Sequence, residues 1–328
     1  MIRRVTVALL QYGLALCAAV VLNFALPRIA PGNPIDFLVP PELVGTLTPD
    51  QRQQVLSQFG LDQPVPIQFE RYVVGLVRGD LSYSVRYGRP VSEVLGERLP
   101  WTLALVGSSV VLSGLIGTLA GFWSGWRRGR RGDVAALSAI MLIDSMPTFF
   151  VGMLLLLLFS VTLGWMPIYG ALPGIRVSGG DLVIEIARRL ALPLVTLTLA
   201  GVGSVYLVAR SALVSELRED YVRMAAAKGL SERGVRRHAQ RNALLPVLTV
   251  VLINMGALVG GATVVETVFS YPGLGRLIYE SVISRDYPTL QGAFLLLSVS
   301  VIFANLLADL AYTLLDPRVR RPAPVMSG

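Results

Sequence analysis

Arg218-Glu219-Asp220-Tyr221-Val222-Arg223-Met224-Ala225-Ala226-Ala227-Lys228-Gly229-Leu230-Ser231-Glu232-Arg233 lies between two long apolar runs, and its reading decides how the chain is organised. The stretch is too charged to enter a bilayer, and residues 213–246 are too many for a simple connection. Ala225 to Lys228 favours helix, Gly229 is placed to end that helix at its C′ position, and Ser231 is placed to cap a second one. The expected element is a helix, a sharp glycine turn and another helix, held between two membrane spans. Its face at Ala225–Ala227 is small enough to enter a groove on a partner.

Working outward, the flanking runs belong to a chain of 328 residues that is 53% hydrophobic and 15% charged, where a soluble domain carries about a quarter charged residues. Its mean hydropathy is +0.62. A spanning helix needs about 20 mostly apolar residues, and six runs qualify, at roughly 5–27, 101–123, 134–163, 190–210, 246–268 and 290–314. Trp101 and Trp123 bracket the second run, and Trp165 and Tyr169 follow the third, as expected of residues at headgroup level. The first run outlasts the apolar region of a cleavable signal and is expected to be a retained helix. Cys17 within it is expected to pack against lipid or helix.

Arginine orients the spans. The 124–133 connection carries Arg127, Arg128, Arg130 and Arg131, and the 213–245 connection carries Arg218, Arg223, Lys228, Arg233, Arg236, Arg237 and Arg241, so both face the cytoplasm. The connections at 164–189 and 269–289 are poorer in arginine and lie outside with the 30–100 segment. Six spans then leave both termini cytoplasmic. The expected organisation is a first transmembrane helix over 1–29, an extracytoplasmic helical loop over 30–100, a five-helix core over 101–315 with its cytoplasmic loop at 213–246, and a cytoplasmic tail over 316–328. In the outer loop, Pro31-Gly32-Asn33-Pro34 and Pro40-Pro41 are turn signals, Thr48 caps a helix that starts at Pro49, and a second short helix follows Pro66. Ile67, Phe69, Tyr72, Val73, Leu76 and Val77 mostly recur at helical spacing, so one face should pack on the membrane or the other spans.

Much chemistry is excluded. Lys228, the only lysine, is followed by Gly229, whereas a phosphate-binding loop needs Lys followed by Ser or Thr. One cysteine and one histidine leave no disulfide, no thiolate zinc site and no histidine cage. His238 sits among Arg236, Arg237 and Arg241, which disfavour a neutral general base. No catalytic residue and no metal ligand is expected, and nothing calls for nucleic acid.

The stretch from Arg218-Glu219-Asp220-Tyr221 through Ala227-Lys228-Gly229-Leu230 to Asn242-Ala243-Leu244-Leu245-Pro246 resembles the signature loop of ABC-importer permeases. It is similar in particular to the dipeptide, oligopeptide and nickel permease family, in its first-subunit branch. Further matches run along nearly the whole chain: Ala30-Pro31-Gly32-Asn33-Pro34, Leu61-Asp62-Gln63-Pro64, Arg78-Gly79-Asp80-Leu81, Glu97-Arg98-Leu99-Pro100, Val264-Val265-Glu266-Thr267-Val268-Phe269, Tyr271-Pro272-Gly273-Leu274-Gly275 and Leu315-Asp316-Pro317-Arg318. Where the general importer motif begins Glu-Ala-Ala, this chain has Arg223-Met224-Ala225. The resemblance implies an all-α membrane subunit of the type I importer fold in a bacterial cytoplasmic membrane. It implies pairing with a second homologous permease, two cytoplasmic ATPase domains that bind ATP and Mg, and an external substrate-binding protein. This chain would then hold no cofactor. Arg223, Ala225, Ala226, Lys228, Gly229 and Leu230 would form the element that docks on an ATPase, with Gly229 carrying the turn, Ala225 and Ala226 allowing close approach, and Arg223 and Lys228 pairing with ATPase carboxylates. A merely solvated basic loop near anionic lipid is the alternative.

Ionisable groups at membrane depth are candidates for a translocation path or gate. Asp144, three residues before Pro147, Glu266 near the outer end of the fifth span, and Asp309 in the last are the three. The alternatives are a carboxylate at a helix break for Asp144, pairing with Arg276 or Arg285 for Glu266, and helix-to-helix bonding through Asn305 for Asp309. Asn23 and Asn254 are expected to bond between helices, and Gly256, Gly260 and Gly261 to permit close packing. The expected cargo is a dipeptide or oligopeptide. A nickel or metal chelate moved by the same machinery is the second possibility, and an ion-coupled carrier acting alone, relaying protons through the three carboxylates, is the third. An intramembrane aspartyl protease would need Gly-Asp pairs inside the spans, and here they occur outside them.

Overall fold

Long apolar runs that satisfy every backbone group internally must be helical in lipid, and a computed structural model describing residues 2–29, 45–58, 62–168, 170 and 180–315 shows this arrangement. The helices are α1 (Ile2–Ile29), α2 (Pro49–Gln58), α3 (Val65–Arg78), α4 (Val91–Trp126), α5 (Arg131–Asp144), α6 (Thr148–Leu155, continued as a π-helical turn over Leu156–Thr162), α7 (Gly180–Glu216), α8 (Asp220–Ala227), α9 (Glu232–Val268), α10 (Leu274–Ile283) and α11 (Tyr287–Leu315). The six expected runs all fall in these helices. The turn signals at 31–34 and 40–41 and the tail beyond Leu315 lie outside the described residues.

Three expectations need adjustment. The third run is not one straight span: it breaks at Ser145-Met146-Pro147, and α5 and the α6 segment meet at 99°. Pro147 stands at the start of α6, where its missing N–H costs nothing, with Ser145 and Met146 between it and the end of α5. The second run starts earlier, with α4 beginning at Val91 and carrying Pro100 inside it. The fifth run likewise has no separate helix before it, because α9 continues from Glu232 through Pro246 to Val268.

The chain divides into two units. One comprises, among the described residues, Ala104–Tyr271 and 303–315. Its packing centres on α7, whose Val205, Tyr206, Ala209 and Leu213 are fully buried. Phe122 of α4, Val222 of α8, and Ala239, Ala243 and Val247 of α9 complete this core. Gly117, Gly121 and Gly125 repeat every fourth residue on α4 and let its backbone approach α7 closely, as small residues do between membrane helices. A Cβ at Gly121 would lie 2.6 Å from the Tyr206 carbonyl oxygen and 2.7 Å from the Ala209 Cβ. Both are rigid neighbours, so Gly121→Ala is expected to cost about 1–3 kcal/mol through forced separation of the helices. Thermal unfolding in detergent should place this variant several degrees below the wild type. Gly107→Ala, whose Cβ meets nothing within 4 Å, should leave the midpoint unchanged or slightly raised.

The other unit comprises Ile2–Leu103 and Pro272–Ile302. Thr48 caps α2, accepting from the Gln51 N–H at 3.3 Å while Gln51 Oε1 accepts from the Thr48 N–H at 2.9 Å, a reciprocal box. The expected apolar face of α3 packs on α1, with the Phe24 ring 5.0 Å from Phe69 and 5.5 Å from Tyr72. Asn23 bonds between helices as anticipated, donating to Tyr72 Oη at 3.0 Å and to the Gln291 carbonyl at 2.7 Å. Val91, Val94 and Leu95 of α4 join Leu274, Leu277 and Ile278 of α10 and Ala293 of α11 in a second core.

Candidate coupling element and translocation path

The α8 helix is short because its ends are specified locally. Gly229 takes a left-handed φ of 85°. The Gly229 N–H then reaches the Ala226 carbonyl at 3.0 Å and the Leu230 N–H reaches the Ala225 carbonyl at 3.3 Å, which closes a Schellman turn. Ser231 Oγ accepts from the Gly234 N–H at 3.4 Å and starts α9. Helix, glycine turn and capped helix are therefore as the sequence predicts, although the second helix is the first part of a span.

The orientation of α8 corrects one expectation. Val222 and Ala225 are buried against the chain's own helices, so Ala225 is not free to approach a partner. The surface α8 leaves open is Arg223, Met224, Ala226, Ala227, Lys228, Gly229 and Leu230, with Met224 59% and Leu230 43% exposed. Arg223 has only a loose, solvent-exposed pairing with Asp220 at 3.6 Å, which contributes little to stability. Tyr221 fastens the other side. Its hydroxyl donates to Glu216 at the end of α7, its ring lies 5.9 Å from the His238 ring on α9, and it also bonds Asn242. Burial and the Glu216 carboxylate push the Tyr221 hydroxyl up to about 12, so it remains a donor at physiological pH. The single histidine serves this packing.

Close to α8, at the other end of α7's last three turns, is a polar cluster that single-sequence reasoning passed over. Asp133, 1% exposed, receives Arg210 Nε at 2.7 Å and Arg210 Nη2 at 2.8 Å, a bidentate pair. The Gly129 N–H donates to the same carboxylate at 2.9 Å, and the Ser124 hydroxyl bridges Asp133 to the Tyr206 hydroxyl, 2.6 Å away. Every partner of this carboxylate is thus supplied by α4, the 127–130 turn or α7. The sequence signal was an acidic residue beside an arginine-rich loop, and nothing in it named Arg210.

Of the three carboxylates proposed for a path, Asp144 and Glu266 occupy different surroundings. Asp144 ends α5 at the break and is exposed. Its carboxylate rests on α7 at Gly203, where an added Cβ would lie 2.1 Å from Oδ1. Asn254 Nδ2 donates to Ser204 Oγ at 2.8 Å beside it, so Asn254 bonds between helices as expected. Glu266 is fully buried near the end of α9, and its carbonyl accepts from the Tyr271 N–H at 2.8 Å. It therefore does not stand open at a mouth within this chain. Asp309 falls in α11, and its side chain lies outside the described residues.

On the α10 side, Asp286 is fully buried and gathers the hydroxyls of Ser84 and Thr289 with the N–H groups of Val85, Arg86 and Thr289. These bonds tie the 82–90 hairpin to the start of α11. Nearby, Tyr87 Oη donates to Glu280 at 2.9 Å and Arg276 Nε lies 2.7 Å from Glu280. Burial raises the Glu280 carboxyl, but the Tyr87 hydroxyl and the Arg276 charge together outweigh it and hold the group below its usual range.

Comparison with known proteins closes the question of family. Residues 117–321 match the family described as the binding-protein-dependent transport system inner membrane component. The di/tripeptide transport system permease protein of Pseudomonas aeruginosa is 36% identical over 315 residues, covering 91% of this chain and 93% of that protein. The glutathione transport system permease protein of Salmonella paratyphi A is 38% identical over 301 residues, covering 92% and 93%. Among solved structures, a methionine ABC transporter captured facing inward has a chain that superposes with a TM-score of 0.54 at 18% identity, over 68% of this chain and 96% of that one. That likeness shows the fold. With its apolar helices arranged as a multi-pass inner-membrane subunit, this chain belongs to the family of binding-protein-dependent transport system inner membrane components.

Proposed function

We propose that this chain is one of two permease subunits of an ATP-driven peptide importer, forming the translocation path with a second, homologous permease. Peptide cargo is favoured over nickel or a metal chelate because relatives at 36% and 38% identity along nearly the whole chain are named for di/tripeptide and glutathione transport. Two cytoplasmic ATPase domains bind ATP and Mg, and this chain supplies no group to the hydrolysis. An extracytoplasmic binding protein delivers the peptide. Both termini lie in the cytoplasm, which puts α8 and the arginine-rich 127–131 turn on the ATPase side.

The observation that carries the coupling role is α8 itself. A small rigid helix is anchored through Val222, Ala225 and Tyr221 to the ends of α7 and α9, while Met224, Ala226, Ala227, Lys228 and Leu230 stay open. An ATPase cleft that closes around that open face moves two long helices together. Differential contact with the open and closed ATPase states is the source of the switch. The carrier alternative requires the chain to work alone. The deciding experiment reconstitutes the chain by itself and with its co-purifying permease, ATPases and binding protein, and follows Ala-Ala uptake and ATP hydrolysis. Uptake that needs all components and ATP is expected. Uptake by the single chain driven by a proton gradient would overturn the proposal.

A further inference from the structure

Among the described residues, Asp144 is an exposed carboxylate at a break in an apolar run with no charged partner. No arginine or lysine among the described residues pairs with it. It contrasts with Asp133, which has a full set of donors, and with Glu266, which is fully buried. Asp144 lies within the third apolar run, 134–163, and its carboxylate rests on α7 at Gly203, about 10 Å along that helix from Arg210 at a rise of 1.5 Å per residue. That run is long and apolar enough to cross a hydrocarbon layer of about 30 Å, which puts the carboxylate between the ends of a span. A carboxylate exposed there toward lipid would be strongly disfavoured, so this one faces a hydrated path or a partner.

The local construction suits a cation. Asp144 is the last residue of α5, so the negative end of the helix dipole adds to its charge. The chain turns by 99° at the next three residues, which breaks the span in two beside the carboxylate. Gly203 provides a seat without a side chain for the carboxylate, and the Ser204–Asn254 pair continues a neutral polar layer toward α9. Solute sites in membrane proteins form at such broken helices near the midplane.

We propose that Asp144 is a cation-binding point in the translocation path that takes the α-ammonium group of a peptide in transit. The proposal rests on the peptide-importer reading above, and its test separates the two. The assembled complex, in lipid nanodiscs without binding protein, is titrated with radiolabelled Ala-Ala and with N-acetyl-Ala-Ala, which lacks the charge. Loss of one charge-assisted contact is expected to weaken Ala-Ala binding about tenfold in Asp144→Asn while N-acetyl-Ala-Ala is unaffected. Asp144→Glu should retain the preference for the charged peptide. Gly203→Ala, which keeps the charge but occupies its seat, should reduce that preference.

If Asp144→Asn fails to assemble, Asp144→Cys in a Cys17→Ser background supplies a second measurement. Modification with a thiol reagent carrying a sulfonate should restore Ala-Ala uptake, and one carrying a quaternary ammonium should abolish it, with the Cys17→Ser complex as the control for other thiols. Ala-Ala binding that survives Asp144→Asn unchanged overturns this proposal alone. So does charge-independent recovery of the cysteine variant, and so does an equal weakening of Ala-Ala and N-acetyl-Ala-Ala in Asp144→Asn, which is the result expected if Asp144 merely pairs with an arginine of the second permease. Absence of binding of either peptide to the wild-type complex overturns the peptide reading and this proposal with it.

Discussion

Asp133→Ala is expected to be the most damaging single substitution outside the path, because it leaves the Arg210 guanidinium among buried neighbours with no counter-charge. Breaking a buried ion pair from one side costs about 3–5 kcal/mol. The lower part of that range applies, since Arg210 keeps 22% of its side-chain surface exposed against 2% for Asp133. The same substitution strips the Gly129 N–H and the Ser124 hydroxyl of their acceptor. Chemical unfolding of the detergent-solubilised chain should show the loss directly. Asp133→Asn should fall between the wild type and Asp133→Ala, keeping one acceptor oxygen, for Ser124 or for Gly129, but not the charge. Arg210→Met introduced into Asp133→Ala should recover a good part of the stability, because the unpaired charge is then gone. A double variant no more stable than Asp133→Ala would assign the cost to the lost turn at Gly129. Transport should fall in parallel, since Arg210 lies less than two turns before Glu216 of α7 and, through it, Tyr221 of α8.

Gly229→Val is expected to act on transport with little effect on folding. A Cβ at Gly229 would meet nothing within 4 Å, so no packing is lost, but the φ of 85° is closed to a β-branched residue. The strain is about 1–2 kcal/mol, and it is relieved by releasing the Schellman turn and letting α8 turn away from its seat on α9. In the reconstituted importer, uptake per ATP hydrolysed should drop at least about tenfold, a difference of about 1.4 kcal/mol between coupled and uncoupled states. The thermal midpoint of the chain should stay near the wild type. Gly229→Asn, which tolerates left-handed backbone, should keep most of the coupling. A fully coupled Gly229→Val complex would remove α8 from the transmission of the ATPase stroke.

What was legible in the sequence was what local rules decide. A run of about 20 apolar residues has to be helix in lipid, so the positions of all six runs were visible without a structure. Gly229 after Ala-Ala-Ala-Lys, and Ser231 before a helix-forming run, specify a turn and a cap within six residues. Thr48 before Pro49 does the same for α2.

The tertiary structure decided everything that depends on which distant residues meet. Asp133 and Arg210 are 77 residues apart, and both sit in a chain rich in arginine, so the charge pattern offered many equivalent partners. Gly203 looked like an ordinary small residue until α5 set Asp144 against it. Ala225 and Ala226 are the same residue type on adjacent positions, yet a helix turns about 100° between them, and only the packing of Val222 beside Ala225 on α9 settles which is buried. Pro246 and Pro100 were boundaries by local preference, but neighbouring helices in a membrane bundle compensate the missing N–H and the helices run through them. Pro147 does mark a break, and beyond its 99° bend α6 packs against α7 and α9. Periodicity and caps act over one or two turns of chain. Charge pairing, helix crossing and the facing of a carboxylate are set across the bundle, where separation along the chain carries no information.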